Sequence, residues 1–179
     1  MKLRIFNKLM QAHGLKQEAS EWQMFLEFCS MYLKNHKIKN PIVVELGMGL
    51  GKQREFWKQL FEAKYIAVDM ADIEAWKKFK RKIKNRFIDI LFIDGSRFYE
   101  VVRKDFELYS PLCDGIIALH NIDTFRDTAR KSAQVWKFWD ELKSRKCEAA
   151  QEYKDSLFLS IFHRCKRGCQ RGIGVIITK

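Results

Sequence analysis

The sequence predicts an α/β domain built on a doubly wound, mostly parallel sheet with helices on both faces. Three observations predict it. Short apolar segments alternate with helical patterns, the first four apolar segments carry almost no polar residues, and the last two are separated by a short basic segment with glycines. Such alternation is typical of parallel sheets, and continuous apolar runs are typical of strands covered on both faces. The last pair is predicted to form a C-terminal antiparallel hairpin that ends the sheet.

Six strands are expected from apolar runs of four to six residues. They are predicted at 42–45, 65–68, 88–93, 115–119, 157–162 and 173–177. Each run is too short for a buried helix and is rich in β-branched and aromatic residues, which favours strands.

Helices are expected where apolar residues recur at spacings of three and four. The first spans Trp22 to Leu33 with Ser20 as a candidate N-cap, because a serine hydroxyl can accept from a free backbone N–H. The others are predicted at 52–63, 72–84, 98–109 and about 128–144, each with an apolar stripe such as Val135, Trp136, Trp139 and Leu142.

Composition indicates a folded chain without a membrane span. With 179 residues, 47% hydrophobic and 13% aromatic, we expect a single domain over 1–179, with about 1–38 as an N-terminal helical cap. No apolar run is long enough to cross a bilayer, and the first residues lack the apolar stretch of a signal peptide, so a cytoplasmic location is expected. Five scattered cysteines favour reduced thiols, and Cys165 and Cys169 lack the second pair that a zinc site needs.

The net charge of +12, from 34 Lys+Arg and 22 Asp+Glu, favours anionic partners or substrates. Most of it lies in two runs, 77–86 and 163–171. The first fits the solvated face of a helix better than a nucleic-acid site. The second fits a loop between the last two strands, whose tip could contact a phosphate.

A glycine-rich turn follows the first predicted strand. Glu45 ends that strand, and Gly47, Gly49 and Gly51 follow at alternate positions. Glycines permit positive φ and close approach to a ligand, and the following helix would present backbone N–H groups there. The spacing differs from the G-x-G-x-x-G of dinucleotide folds, which disfavours a dehydrogenase. A short glycine loop alone is a weak signal, so its meaning depends on the other strand ends, where Asp69, Asp94 and His120 stand.

An acid followed by alternate glycines resembles the first motif of class I S-adenosylmethionine-dependent methyltransferases, which have a Rossmann-like fold. The resemblance implies that Glu45 helps to hold the donor's amino group while Gly47, Gly49 and Gly51 pass along its methionyl part and ribose. It places Asp69 at the ribose, where one carboxylate can accept hydrogen bonds from both hydroxyls. Met70 then falls near the adenine.

Three later stretches are similar to one branch of that family, the cephalosporin hydroxylase-like and macrocin O-methyltransferase-like enzymes. They are 91–100, 104–112 and 115–123, with further likeness at 135–142 and 172–176. In that branch carboxylates hold a divalent metal that orients and acidifies the acceptor hydroxyl, and a histidine can act as base. The resemblance therefore implies S-adenosylmethionine as cofactor, Mg²⁺ as a further candidate, and O-methylation of a small-molecule or sugar-like acceptor.

The chain departs from that branch in three places. Ser96 and Arg97 stand where an acid and a histidine are usual, and Asn121 stands in place of a second acid. Asp94 and His120 thus become the candidate catalytic residues, since imidazole titrates near neutrality. Asp94 is also a candidate donor contact, and Asp94 with Asn121, with Asp123 as a further oxygen, is the candidate metal set. The segment between the second and third strands has room for one helix only, so an edge strand is expected to be missing.

Two alternatives remain at the level of sequence. The replaced residues are also compatible with a cofactor-binding protein whose catalysis is impaired. The basic surface is compatible with an RNA methyltransferase, although no Asn-Pro-Pro-Tyr-like motif or catalytic cysteine pair supports it. The acceptor and the oligomeric state are not encoded in any recognisable motif.

Overall fold

The computed structural model describes residues 3–13, 19–47, 49, 51–68, 73–83, 86–126, 133–162 and 171–178. The helices in these ranges are α1 (Leu3–His13), α2 (Ala19–Asn35), α3 (Arg54–Phe61), α4 (Ile73–Ile83), α5 (Tyr99–Tyr109), α6 (Val135–Ser144) and α7 (Glu148–Gln151), with a 3-10 turn at Ser110–Leu112. The strands are β1 (Ile42–Leu46), β2 (Lys64–Val68), β3 (Ile88–Ile93), β4 (Cys113–His120), β5 (Leu157–Ile161) and β6 (Ile173–Ile177).

One sheet contains these six strands, in the order β2-β1-β3-β4-β6-β5. The first four in the chain pair in parallel, and β6 lies antiparallel between β4 and β5. The predicted doubly wound sheet with a terminal antiparallel hairpin is thereby confirmed. Strand β2 forms one edge, and only α4 lies between β2 and β3 in the described part of the chain, as the shortened spacing predicted.

Alternating side chains along each strand feed two apolar cores. On one face, Val43, Phe92 and Ala118 pack with aromatic residues of α1, α2 and α3. On the other, Val44, Leu91 and Ile117 pack with residues of α4, α5 and α6. The predicted amphipathic helix around Trp22 therefore packs on the sheet, where the rings of Phe25 and Phe92 stack with centroids 5.4 Å apart.

Helix α4 carries the first basic run on its solvent side. Its Phe79 and Ile83 are buried, whereas Lys78 and Arg81 are exposed and Lys77 pairs with Glu74 at 2.8 Å. This distribution agrees with the interpretation of the run as a solvated helix face.

Two predicted helix starts are wrong. Ser20 lies inside α2, which extends from Ala19, so it is not the N-cap. The helix predicted from about 128 begins at Val135, because Gln134 has φ −127° and ψ 15° and donates its backbone N–H to the carbonyl of Arg97 at 2.7 Å. That bond fixes the start of α6 beside the segment that follows β3.

No helix in the described ranges is both long and apolar enough to cross a membrane.

Candidate active site

The strand order reverses between β1 and β3, and this position determines where a ligand can bind. The chain passes from β1 outward to β2 and then returns to the other side of β1 with β3. In open α/β sheets the crevice at such a reversal, beyond the carboxyl ends of the strands, is the usual ligand site. Gly47 follows β1 and Asp94 follows β3, so both predicted site residues stand at this crevice.

The glycine turn has the backbone conformation that only glycine adopts without strain. Gly47, Gly49 and Gly51 have φ of +81°, +50° and +66°. A Cβ at Gly47 would lie 2.0 Å from the Cα of Gly95, so the turn packs directly on the segment after β3. A Cβ at Gly49 would meet no atom within 4 Å, so open space lies beside this part of the turn. The turn can therefore pass a ligand closely on one side while it is fixed on the other.

Glu45 lies beneath this turn and is fully buried. Its Oε2 accepts a hydrogen bond of 2.9 Å from the hydroxyl of Tyr65 on β2. Trp57 on α3 is close enough to favour the charged carboxylate, although its N–H does not have hydrogen-bond geometry toward Oε1. Burial raises the pKa of Glu45 to about 8, and the charge of Asp94 acts in the same direction. Glu45 is thus a buried acid next to the glycine turn, with one oxygen lacking a hydrogen-bond partner.

Asp94 and His120 form a short contact across β3 and β4. The Nδ1 of His120 lies 2.6 Å from Oδ1 of Asp94, and their side chains are 4% and 15% exposed. The backbone N–H of Asp94 donates to Leu46 at 2.9 Å, which continues the ladder between β1 and β3 past the strand ends. Asp94 therefore presents a carboxylate to the crevice, and His120 stands behind it.

Asn121 and Asp123 have their oxygens engaged within the protein. Thr124 donates its hydroxyl to Oδ1 of Asn121 at 3.0 Å, and Asp123 accepts from Arg126 at 2.8 Å. No group of three or more His, Cys, Asp or Glu side chains in the described residues could hold a metal ion. A Mg²⁺ ion takes several oxygen ligands in octahedral geometry, so Asp94 with Asn121, and Asp123 as a further oxygen, stays a predicted metal set.

Arg126 clamps the segment after β4, a role that the sequence did not predict. It bonds to both carboxylate oxygens of Asp140 on α6, to Asp123, and to the carbonyl of Ile122, while its guanidinium lies 5.3 Å from the ring of Trp136. The spacing of Asp123 and Arg126 was the available signal, but the partner on α6 is visible only in three dimensions.

A second unpredicted contact joins α2 to this end of the sheet. The buried Glu21 accepts a hydrogen bond of 3.1 Å from the backbone N–H of Gly172, which precedes β6. Gly172 also accepts from Ile122 through its carbonyl. The start of α2 is thus tied to the same strand ends as the candidate site.

The predicted residues therefore divide into two groups. Glu45, the glycine turn, Asp94, His120 and Asn121 come together at the crevice. Asp69 and Met70, predicted for the ribose and adenine, lie outside the described residues, as do Cys165, Cys169 and most of the second basic run. Arg97 is exposed on the segment after β3.

Several solved structures that are similar to this chain are methyltransferases. An O-methyltransferase from Bacillus cereus in complex with SAH is similar over 97% of this chain and 90% of its own, with a TM-score of 0.58 and 11% identity. The mycinamycin-pathway methyltransferase MycE, in complex with Mg and SAH, is similar over 97% of this chain, with a TM-score of 0.60 and 12% identity. The O-methyltransferase TomG of Streptomyces achromogenes, in complex with SAM, is similar over 97% of this chain and 89% of its own, with a TM-score of 0.56 and 13% identity.

This chain spans 55% of the length of MycE. No protein-family model and no curated protein matches the sequence. The similarity to these solved methyltransferases shows that the chain shares their fold, as the resemblance in sequence had implied.

Proposed function

We propose that this protein is an S-adenosylmethionine-dependent methyltransferase that methylates a hydroxyl oxygen of a small-molecule or sugar-like acceptor. The observation that carries the proposal is the crevice between β1 and β3, where three glycines have positive φ, open space lies beside Gly49, and Asp94 follows β3 at the same end of the sheet. The fold is that of proteins solved with SAM or SAH bound, which supports the same choice of cofactor here.

The residues fit this donor. Gly47, Gly49 and Gly51 would line it, because their backbone leaves room for close approach. Glu45 lies under the turn with an oxygen that lacks a hydrogen-bond partner, and Asp94 adds a carboxylate that favours a cationic ligand. When bound, the sulfonium group supplies an electrophilic methyl carbon. Asp69 would accept hydrogen bonds from the ribose hydroxyls, and Met70 would lie near the adenine.

Asp94 would receive the acceptor. Its carboxylate can accept a hydrogen bond from the reacting hydroxyl, align that oxygen with the methyl carbon, and take the proton that leaves as the O–C bond forms and the S–C bond of the methyl donor breaks, with S-adenosylhomocysteine as the leaving group. His120, the other candidate catalytic residue, contacts Asp94 directly. Positioning supplies most of what such a transfer requires, so the placement of Asp94 is central.

An anionic acceptor is proposed from the charge near the crevice. Arg97 is exposed three residues after Asp94, and no hydrogen bond or ion pair engages its side chain in the described part of the chain. The net charge of +12 acts in the same direction over longer distances.

A cytoplasmic location is proposed from the cysteines. Cys29, Cys113 and Cys147 are unpaired, which suits a reducing compartment.

Calorimetry with S-adenosylhomocysteine tests the donor site, and transfer of labelled methyl from S-adenosylmethionine to a panel of catechols, hydroxy acids and sugars tests the reaction. We expect binding of the product and labelling of at least one hydroxyl acceptor. Both measurements should be made with and without Mg²⁺ to test a metal requirement, because MycE was solved with Mg bound. Absence of binding by either the donor or its demethylated product would refute the proposal.

Asp94→Asn should retain the fold and lose turnover, because an amide cannot take the hydroxyl proton. Asp114→Asn is the matched control, since Asp114 is exposed near the start of β4, at the end of the strands opposite to Asp94. Equal turnover of the two variants would remove Asp94 from the reaction.

A further inference from the structure

The position of His120 suggests a role different from that of a base. Its ring is 4% exposed, and its Nε2 is buried without a hydrogen-bond partner. Its Nδ1 faces Asp94. A base must offer a lone pair to the proton that it removes, so the availability of each nitrogen decides the question.

The proton on the ring can be placed from the charges of its neighbours. An ionised carboxylate only accepts hydrogen bonds, so the 2.6 Å contact requires the proton to lie on Nδ1, with His120 donating to Asp94. The amide nitrogen of Asn121, 3.1 Å from the same Nδ1, is also a donor and makes no hydrogen bond to that nitrogen in this tautomer. The lone pair is then on Nε2, which is buried, so the hydroxyl of a substrate in the crevice cannot reach it.

We propose that His120 is a positioning residue, which donates from Nδ1 to hold the Asp94 carboxylate in the orientation that receives the acceptor hydroxyl. This inference rests on the proposed methyl transfer. The surrounding contacts support it, because His120 is packed near the ring of Phe92, with centroids 6.2 Å apart, and its register partner on β6 is Ile173. A ring held in this way fixes the hydrogen bond that it donates and, through it, the carboxylate.

The tautomer is measurable without an acceptor. In protein labelled with ¹⁵N-histidine, long-range ¹H–¹⁵N spectra should show His120 protonated at Nδ1, with that proton shifted downfield by the short bond. Asp94→Ala should abolish the downfield signal and leave His36 unchanged, since the Nδ1 of His36 contacts the carbonyl of Tyr32 instead. A His120 protonated at Nε2 and not at Nδ1 would overturn the inference.

Conservative variants separate the positioning role from a base. Asparagine places an amide nitrogen near the position of Nδ1, whereas glutamine places one near Nε2. His120→Asn should therefore recover most of the turnover that His120→Ala loses, which we expect to be about tenfold or more, and His120→Gln should not. Affinity for S-adenosylhomocysteine should change less than about threefold in all three, because this product lacks the sulfonium charge that the Asp94 carboxylate favours.

If His120→Asn is as slow as His120→Ala, donation from the Nδ1 position does not hold Asp94 for turnover and the inference fails. If the wild-type protein binds neither S-adenosylmethionine nor S-adenosylhomocysteine, the proposed function fails, while the spectra still decide whether His120 donates to Asp94.

Discussion

The buried carboxyl of Glu45 makes a specific prediction about stability and pH. Burial raises its pKa from an ordinary 4.5 to about 8, so the native state keeps this proton at pH values where the unfolded chain has released it. Stability is therefore fully present below pH 4.5 and is lost as pH rises toward 8. At about 1.4 kcal/mol for each pH unit, the full loss is about 5 kcal/mol.

Glu45→Gln removes the ionisation and keeps an oxygen that can accept from Tyr65. The free energy of unfolding of this variant, relative to wild type, should rise by about 4 kcal/mol between pH 5 and pH 9, because only the wild type loses stability there through this group. Urea unfolding followed by circular dichroism at several pH values measures the difference directly.

Asp105→Asn is the matched control. Burial raises the pKa of Asp105 to about 6, so its pH-dependent difference should be complete by about pH 7, whereas that of Glu45 should continue to grow up to about pH 8. A difference between Glu45→Gln and wild type that stays constant from pH 5 to pH 9 would refute the assignment of Glu45 as a protonated buried acid.

Two pairs of glycine substitutions test the packing around the crevice and in the core. Gly47→Ala should destabilise the protein by about 3 kcal/mol, because its Cβ would lie 2.0 Å from Gly95. Gly49→Ala should cost only about 1 kcal/mol for its positive φ, and it should lower the affinity for the methyl donor, which we place in the open space beside it. Equal urea unfolding midpoints for the two variants would contradict this. Gly174→Ala should cost about 1–3 kcal/mol, since its Cβ would meet the buried ring of Trp139 at 2.8 Å, and Gly95→Ala, whose nearest contact is 3.4 Å, should cost less in the same urea titration.

Much of the fold was predictable because the signals were local. Apolar runs and helical spacing located all six strands and the main helices, since each depends on neighbours within one element. The helix predicted from 128 was wrong because helical spacing does not reveal that the backbone N–H of Gln134 is bound by Arg97. Ser20 failed as an N-cap because the helix starts before it.

The candidate site was predictable only in part. Glycine spacing and strand-end acids identified residues that meet at the crevice, because parallel strands bring their carboxyl ends together. The face to which each side chain points could not be read in the same way, because alternation separates two faces of a strand without saying which helices cover each of them. Glu45 lies beneath the turn, and His120 packs behind Asp94, because both follow the face that alternation assigns to them. The bond from Arg126 to Asp140 joins residues with no shared sequence motif.

The bond between Glu21 and Gly172 has a consequence for the order of folding. It joins positions 151 residues apart, and β6, which Gly172 precedes, also pairs with His120. Closing so long a loop costs entropy before any contact repays it. The surroundings of His120 are therefore expected to be completed late, after β1, β2 and β3 have paired through shorter connections. During refolding, the native signal of His120 should therefore appear later than the signal of secondary structure.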